Sequence, residues 1–275
     1  MSVWLAIPSK RPQSEAQACI DRWRARGYLV AMHRDTGDDI VDCDYLSYGD
    51  YQGYAKTVNA LIRAVMKFDT DARWFIAAGD DISPDPTKRA DEIADECETF
   101  FAKFDARGGL PHSHTFGVMQ PTGDPWADSA GRMIERIAGS PWIGREFCER
   151  AYGGNGPYFE GYRHCFLDNE IMDVAKLLGV FWQRPDLTHH HAHWTRERRP
   201  MPGYLAEPNS PAHWQKYHAL YRERKAAGFP GYKPLAAGAE NFLAGCDICG
   251  SKHVTALSQE GSLGQVRAYC EAHAG

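Results

Sequence analysis

The chain has 275 residues, a formal net charge of −5, and 43% hydrophobic against 24% charged residues. That balance excludes a disordered or fibrous chain and leaves only a locally gathered positive patch as a route to nucleic acid. No apolar run reaches membrane-spanning length, and the opening residues 1–8 are too short for a signal peptide, so the expectation is a cytoplasmic protein without a membrane partner.

Residues 3–7 read as a buried strand and 8–12 as the loop leaving it. Ser14 is placed to cap a helix running to Arg26, with Gly27 in the stop position. A second strand over 28–32 ends at His33-Arg34-Asp35. The next helix, 53–67, turns Ala55, Val58, Leu61, Ile62 and Val65 inward. Lys56 and Asn59, three apart on it, are expected to share a face and point into one crevice. A third strand, 73–78, delivers Asp80 and Asp81 into the loop Ile82-Ser83-Pro84-Asp85-Pro86. This is either an acidic turn or a way to fix hard oxygen ligands for a divalent cation. With a further helix over 88–104, strands alternate with helices. A doubly wound α/β sheet follows, with ligands at the carboxyl ends of the strands, on loops 8–12, 35–39 and 79–85.

In the second half, 116–120 reads as a strand and 139–145 as a tight aromatic loop. Asp168 and Glu170, two apart, open a helix over 171–178 that Gly179 stops, and Asp168 suits either an N-cap or a general base. After a strand over 180–183 comes Thr188-His189-His190-His191-Ala192-His193-Trp194. On extended backbone His189, His191 and His193 share a face. Beside paired carboxylates they offer a mixed nitrogen and oxygen site suited to Mn²⁺, with His191 the first choice and His189 the next. Residues 195–240 suggest a loop and a covering helix over 212–227. This helix interleaves His213, Lys216, His218, Arg222, Arg224 and Lys225 with Trp214, Tyr217 and Tyr221, as either a grip on phosphates or a solvated amphipathic face. Of eight cysteines five are scattered singly, as reduced core thiols would be. The other three cluster: Cys246, Cys249 and Cys270 with His273 have the spacing of a tetrahedral structural Zn²⁺ site, with His253 a spare ligand.

The strand, Asp80-Asp81 loop and helix resemble the metal-binding motif of GT-A glycosyltransferases, especially those similar to glycosyltransferase family 2. Ala78 stands at the first acid of the family's Asp-any-Asp motif and Asp80 at the second, the usual metal ligand, with Asp81 as a partial substitute. The resemblance spans residues 1–195 and implies a GT-A fold with a Rossmann-like, doubly wound mixed sheet. It implies that Pro8 and Ser9 bind the base, that Asp35 reads base or ribose, and that Lys56 and Asn59 line the nucleotide site. His191 or His189 joins the metal, and Asp168, with Glu170 as second acid, is the general base. Mn²⁺ or Mg²⁺ and a nucleotide-diphosphate sugar, a uridine diphosphate sugar first, are the implied cofactor and donor of an inverting transfer.

Three units are expected: 1–195 catalytic, 196–240 a cover, and 241–275 a zinc ribbon. A transferase with a ribbon and a basic-aromatic helix also resembles bacteriophage-type enzymes that decorate hydroxymethylated pyrimidines. That implies double-stranded DNA as acceptor and a bacterial host cytoplasm. The alternative from another class is a non-catalytic GT-A-like module recognising nucleic acid or protein through the ribbon. Ala78 speaks for that alternative, and Asp80, Asp168 and the histidine row for the enzyme.

Overall fold

The computed structural model describes residues 1–102, 114–125 and 139–231, together with the backbone of two strands at 254–260 and 265–270. Strand β1 (Ser2–Pro8) has five consecutive buried residues, as suits a strand covered on both faces. Helix α1 (Gln13–Arg24) buries Ala16, Cys19, Ile20 and Trp23, one stripe at helical spacing. Strands β2 (Leu29–Arg34) and β3 (Tyr45–Tyr48) follow, then α2 (Tyr54–Phe68), β4 (Ala72–Ala77), the short β5 (Ile82–Ser83) and α3 (Ala90–Phe101). The chain continues through β6 (Val118–Pro121), β7 (Trp142–Gly144), α4 (Arg145–Arg150), α5 (Leu167–Leu177), β8 (Phe181–Arg184), β9 (His190–His191) and α6 (Pro211–Ala226). Last come β10 (Val254–Glu260) and β11 (Gln265–Cys270), an antiparallel pair.

Seven strands form one mixed sheet in the order β3-β2-β1-β4-β7-β6-β8. β1 lies parallel to β2 and β4, β2 to β3, and β6 to β8, whereas β7 runs antiparallel to both β4 and β6. The doubly wound mixed α/β sheet expected from the sequence is present. The carboxyl ends of β1, β2, β4 and β6 all reach the same edge.

Three local expectations change. Residues 139–145 are not only a loop: Trp142–Gly144 is β7, near the middle of the sheet. Gly144 permits this, since a Cβ there would stand 1.8 Å from the Thr115 carbonyl oxygen. Ser14 caps nothing, because α1 begins at Gln13 behind Pro12 and makes no side-chain cap bond. The helix expected over 88–104 is shorter, its amino end closed by the Arg89 N–H donating to Glu92 Oε2 at 2.8 Å. Of the zinc ligands, Cys246, Cys249 and His273 lie outside the described residues, and of Cys270 only the backbone is described, opposite Val254 on β10. Among the described residues no helix is long and apolar enough to cross a membrane.

Candidate functional site

A cavity of about 910 Å³ opens at the sheet edge where β1, β2, β4 and β6 end. Pro8 and Ser9, His33 and Asp35, Asp80 and Asp81, and Thr122 line it, each just at or beyond one of those carboxyl ends. The expected loops are therefore the ones used. The first is held from below by Arg34, a buried residue whose Nη1 donates to the carbonyls of Ser9 (3.1 Å) and Arg11 (2.7 Å). Asp35 also lines the cavity and pairs with Lys10 at 2.9 Å.

The two adjacent aspartates have different partners. Asp80 accepts from Ser9 Oγ at 2.7 Å and Arg11 Nε at 2.7 Å, and burial raises its pKa against those contacts. For Asp81 burial acts in the same upward direction but is outweighed, chiefly by His191, so its carboxyl lies below the usual range. His191 Nε2 stands 3.3 Å from Asp81 Oδ2. That spacing comes from the main chain: β5 and β9 pair antiparallel with Ile82 opposite His191, and the Ala192 N–H donates to the Asp81 carbonyl at 2.9 Å. The sequence expectation put Asp80 on the metal. The structure gives Asp80 to Arg11 and Ser9, and leaves Asp81 beside the histidine.

The alternation read in the histidine row holds, since His189, His191 and His193 all line the cavity. His189 is nevertheless unsuited to ligate a metal. Its Nδ1 bonds Ser140 Oγ at 3.0 Å and its Nε2 accepts from Trp142 Nε1 at 3.4 Å, while Trp23 packs edge-on at 5.4 Å. Burial drives its pKa down to about 4, so the ring is neutral and both nitrogens are engaged. His193 turns Nδ1 to Thr195 Oγ1 at 2.7 Å. Among the described residues no three His, Cys, Asp or Glu side chains are grouped to hold a metal ion. Asp81 and His191 still fit as two of its ligands. Cis donors on an octahedral ion with bonds near 2.1 Å lie about 3 Å apart, close to the spacing of this pair, and such ions complete their shell with phosphate oxygens and water.

Asp168 lines the cavity from the first turn of α5. It is not the N-cap, a position held by Phe166 at φ 70°. Burial raises its pKa, opposed by the Asn169 N–H donating to Oδ1 at 3.0 Å. Glu170, expected beside it in catalysis, faces elsewhere. Fully buried, it takes Arg224 through Nε (2.8 Å) and Nη2 (2.7 Å), the Tyr162 hydroxyl at 2.8 Å and the Tyr152 hydroxyl. Lys56 is exposed and absent from the cavity wall, whereas Asn59, 0% exposed, braces that wall from behind. Its Nδ2 donates to the Tyr158 carbonyl at 2.8 Å and its Oδ1 accepts the Tyr158 N–H at 3.1 Å. The two helix residues therefore do not share a crevice.

On α6, Arg224 is committed to Glu170, and Lys225 pairs with Asp173 at 2.8 Å, so two of the cations expected to face phosphate are already engaged. Sequence reasoning missed Asp124, which accepts the His191 N–H at 3.2 Å and Arg196 Nη2 at 2.9 Å. Its signal was present, because Thr122-Gly123-Asp124-Pro125 repeats the pattern of a strand end, an acid and a proline seen at 80–86. Also missed was Thr122 Oγ1, a buried cavity atom without a hydrogen-bond partner among the described residues.

No family model matches the chain, and no protein of curated function matches it in sequence. Among solved structures it is similar to A197 from STIV, with TM-score 0.41, 13% identity, and coverage of 70% of this chain and 86% of that one. It is similar to the catalytic domain of Drosophila beta1,4-galactosyltransferase 7 in complex with xylobiose, with TM-score 0.42, 12% identity and 74% of each chain covered. A third likeness is to a glycosyltransferase involved in the glycosylation of the major capsid of PBCV-1, with TM-score 0.30, 9% identity, and coverage of 54% of this chain and 63% of that one. None of the three likenesses decides what this chain does.

Proposed function

We propose that the chain is a metal-assisted, inverting glycosyltransferase that moves a sugar from a nucleotide-diphosphate sugar to an acceptor hydroxyl. The observation that carries this reading is one cavity, at the carboxyl ends of the parallel strands, holding both the Asp81–His191 pair and a separate half-buried carboxylate, Asp168, whose pKa desolvation raises. Thr122 Oγ1, buried in its wall and without a hydrogen-bond partner among the described residues, favours a polar ligand over an empty cleft.

Residues 8–9, His33 and Asp35 receive the nucleoside, and Asp80, tied to Arg11 and Ser9, fixes the loop beneath it. Asp81 and His191 would hold Mn²⁺ or Mg²⁺, which when bound neutralises charge gathering on the departing diphosphate. Asp168 accepts the proton of the acceptor hydroxyl as that oxygen attacks the anomeric carbon. The bond from that carbon to the diphosphate oxygen breaks, and its electron pair leaves with the nucleotide. A single displacement of this kind inverts the anomeric centre. The same reading gives residues Cys246, Cys249, Cys270 and His273 one structural Zn²⁺. It also makes a 5-hydroxymethylpyrimidine in DNA an acceptor to be assayed.

A thermal-shift series tests the donor site. Uridine diphosphate at about 100 times its Kd should add about 2.7 kcal/mol of stability in the presence of Mn²⁺ and none in the presence of a chelator. Asp81→Ala should lose the effect. Equal stabilisation with and without chelator, in wild type and variant alike, would remove the metal-diphosphate reading. Donor binding without any turnover on a broad acceptor set would favour the non-catalytic alternative.

A further inference from the structure

Beside the cavity lies a set of aromatic rings that the transfer chemistry above leaves unused. Phe166 sits at φ 70°, a conformation that a bulky side chain rarely adopts and that persists only where its surroundings demand it. Its ring stacks on His218 (5.3 Å between centroids, 28° between planes) and on Tyr221 (5.6 Å, 24°). It also meets Trp214 at 5.3 Å, and Trp214 stands 4.8 Å from His218. Trp214, His218 and Tyr221 recur at i, i+4 and i+7, one face of α6. Trp214 is 50% exposed, and the other three rings are half-buried.

The ladder continues the cavity wall. Phe166 is followed directly by Leu167 and Asp168, and α6 directly follows Pro208 and Asn209, all four of which line the cavity. The Cys165 Sγ contact with the Pro208 carbonyl, 3.6 Å, ties the two segments together. Two residues span at most about 7 Å of chain, so the backbones of Phe166 and Asp168 lie within that distance of each other, and the ladder begins next to the carboxylate.

Charge selects the occupant. A nucleic-acid strand needs cations free to replace its counterions. On this helix Arg224 is buried against Glu170, Lys225 is paired with Asp173, and the acidic Glu223 follows Arg222, leaving Lys216 and Arg222 as the exposed cations outside those two ion pairs. A neutral sugar ring asks for no such charge. Its C–H face is a flat apolar patch that an exposed indole covers, while its hydroxyls stay in water.

We propose that this ladder is the acceptor subsite and that the acceptor is a neutral carbohydrate chain, one ring lying on Trp214 and Phe166 while the next presents its hydroxyl to Asp168. The proposal rests on the transferase reading. Its test uses the full chain with UDP and Mn²⁺ on an array of neutral glycans, followed by calorimetry with cello-, malto- and manno-hexaose and with duplex DNA containing 5-hydroxymethylcytosine.

Binding to at least one neutral glycan is expected, together with a rise of about tenfold or more in acceptor KM for Trp214→Ala, kcat changing about twofold or less. Trp214→Phe should recover most of the loss, an outcome that a merely structural Trp would not give. Salt-sensitive binding of the DNA in place of any glycan overturns the proposal. So does an unchanged acceptor KM in Trp214→Ala, or the absence of glycan binding by a protein that UDP and Mn²⁺ do stabilise. Failure of UDP and Mn²⁺ to stabilise the protein at all is the separate failure of the transferase reading.

Discussion

Asp168, the general base of the proposed reaction, carries a pKa raised by desolvation. Its folded pKa lies above its unfolded one because it is buried, so the folded chain favours the protonated form. The sign follows: stability is greatest below the unfolded pKa and falls as pH rises through the folded one. Asp168→Asn keeps the shape and removes the charge. At neutral pH it should melt roughly a few degrees higher than wild type while transfer falls by about 10² to 10⁴. In wild type the acid limb of the kcat/KM profile should sit above the ordinary carboxylate range. Melting and rate measurements in one buffer series check all three, and a variant that transfers normally or melts lower returns Asp168 to a structural role. Much at this scale was legible. An apolar strand running into Asp80-Asp81 and a proline-closed loop marked the cavity, and period-two alternation put His189, His191 and His193 on its wall. What sequence spacing lacked was partner identity. Nothing local says that Asp80 meets Arg11 while Asp81 meets His191, or that Ser140 and Trp142 occupy His189.

At the scale of elements, α5 and α6 are joined by a buried ion pair, Glu170 with Arg224, roofed by the Phe159 ring 3.5 Å from the guanidinium carbon. Removing one partner of such a pair strands the other charge. Arg224→Met should therefore cost about 3 to 5 kcal/mol in urea unfolding, and Glu170→Gln added to it should recover part of the loss. Lys216→Ala, on the exposed side of the same helix, should stay within about 0.5 kcal/mol. A negligible loss in Arg224→Met would mean that the clamp is relieved by rearrangement. Strands β1, β2 and β4 were visible as continuous apolar runs between helical patterns. β7 was not, because its three residues lie between Pro141 and the helix that begins at Arg145, and such a run carries no periodicity. Its place is set by the distant Thr115 backbone, which leaves room only for Gly144. Lys56 and Asn59 failed for a related reason: α2 is buried broadly enough that a three-residue offset takes the side chain from solvent to core.

At the scale of the whole molecule, all seven strands of the sheet and every described residue that lines the cavity fall within residues 1–231. Phe229 is buried and the Gly231 carbonyl accepts the Tyr152 N–H at 3.1 Å, so a truncation before them would cut into the packed part of the chain. A chain ended after Gly231 should keep its metal-dependent stabilisation by uridine diphosphate, while the full chain alone carries one tightly held zinc in elemental analysis. Loss of donor binding in the shorter chain would make the last segment part of the donor site. The β5–β9 ribbon has one more consequence, in time rather than in space. Asp81 and His191 are brought together by backbone pairing across 110 positions (191 − 81 = 110). At the usual pace of about 5 to 20 residues per second, the aspartate leaves the ribosome some 5 to 20 s before its histidine. On the proposed reading, the growing chain would thus display the loops assigned to the nucleoside long before the pair assigned to the metal and diphosphate is complete, and donor capture would wait for nearly the last of the sheet to arrive.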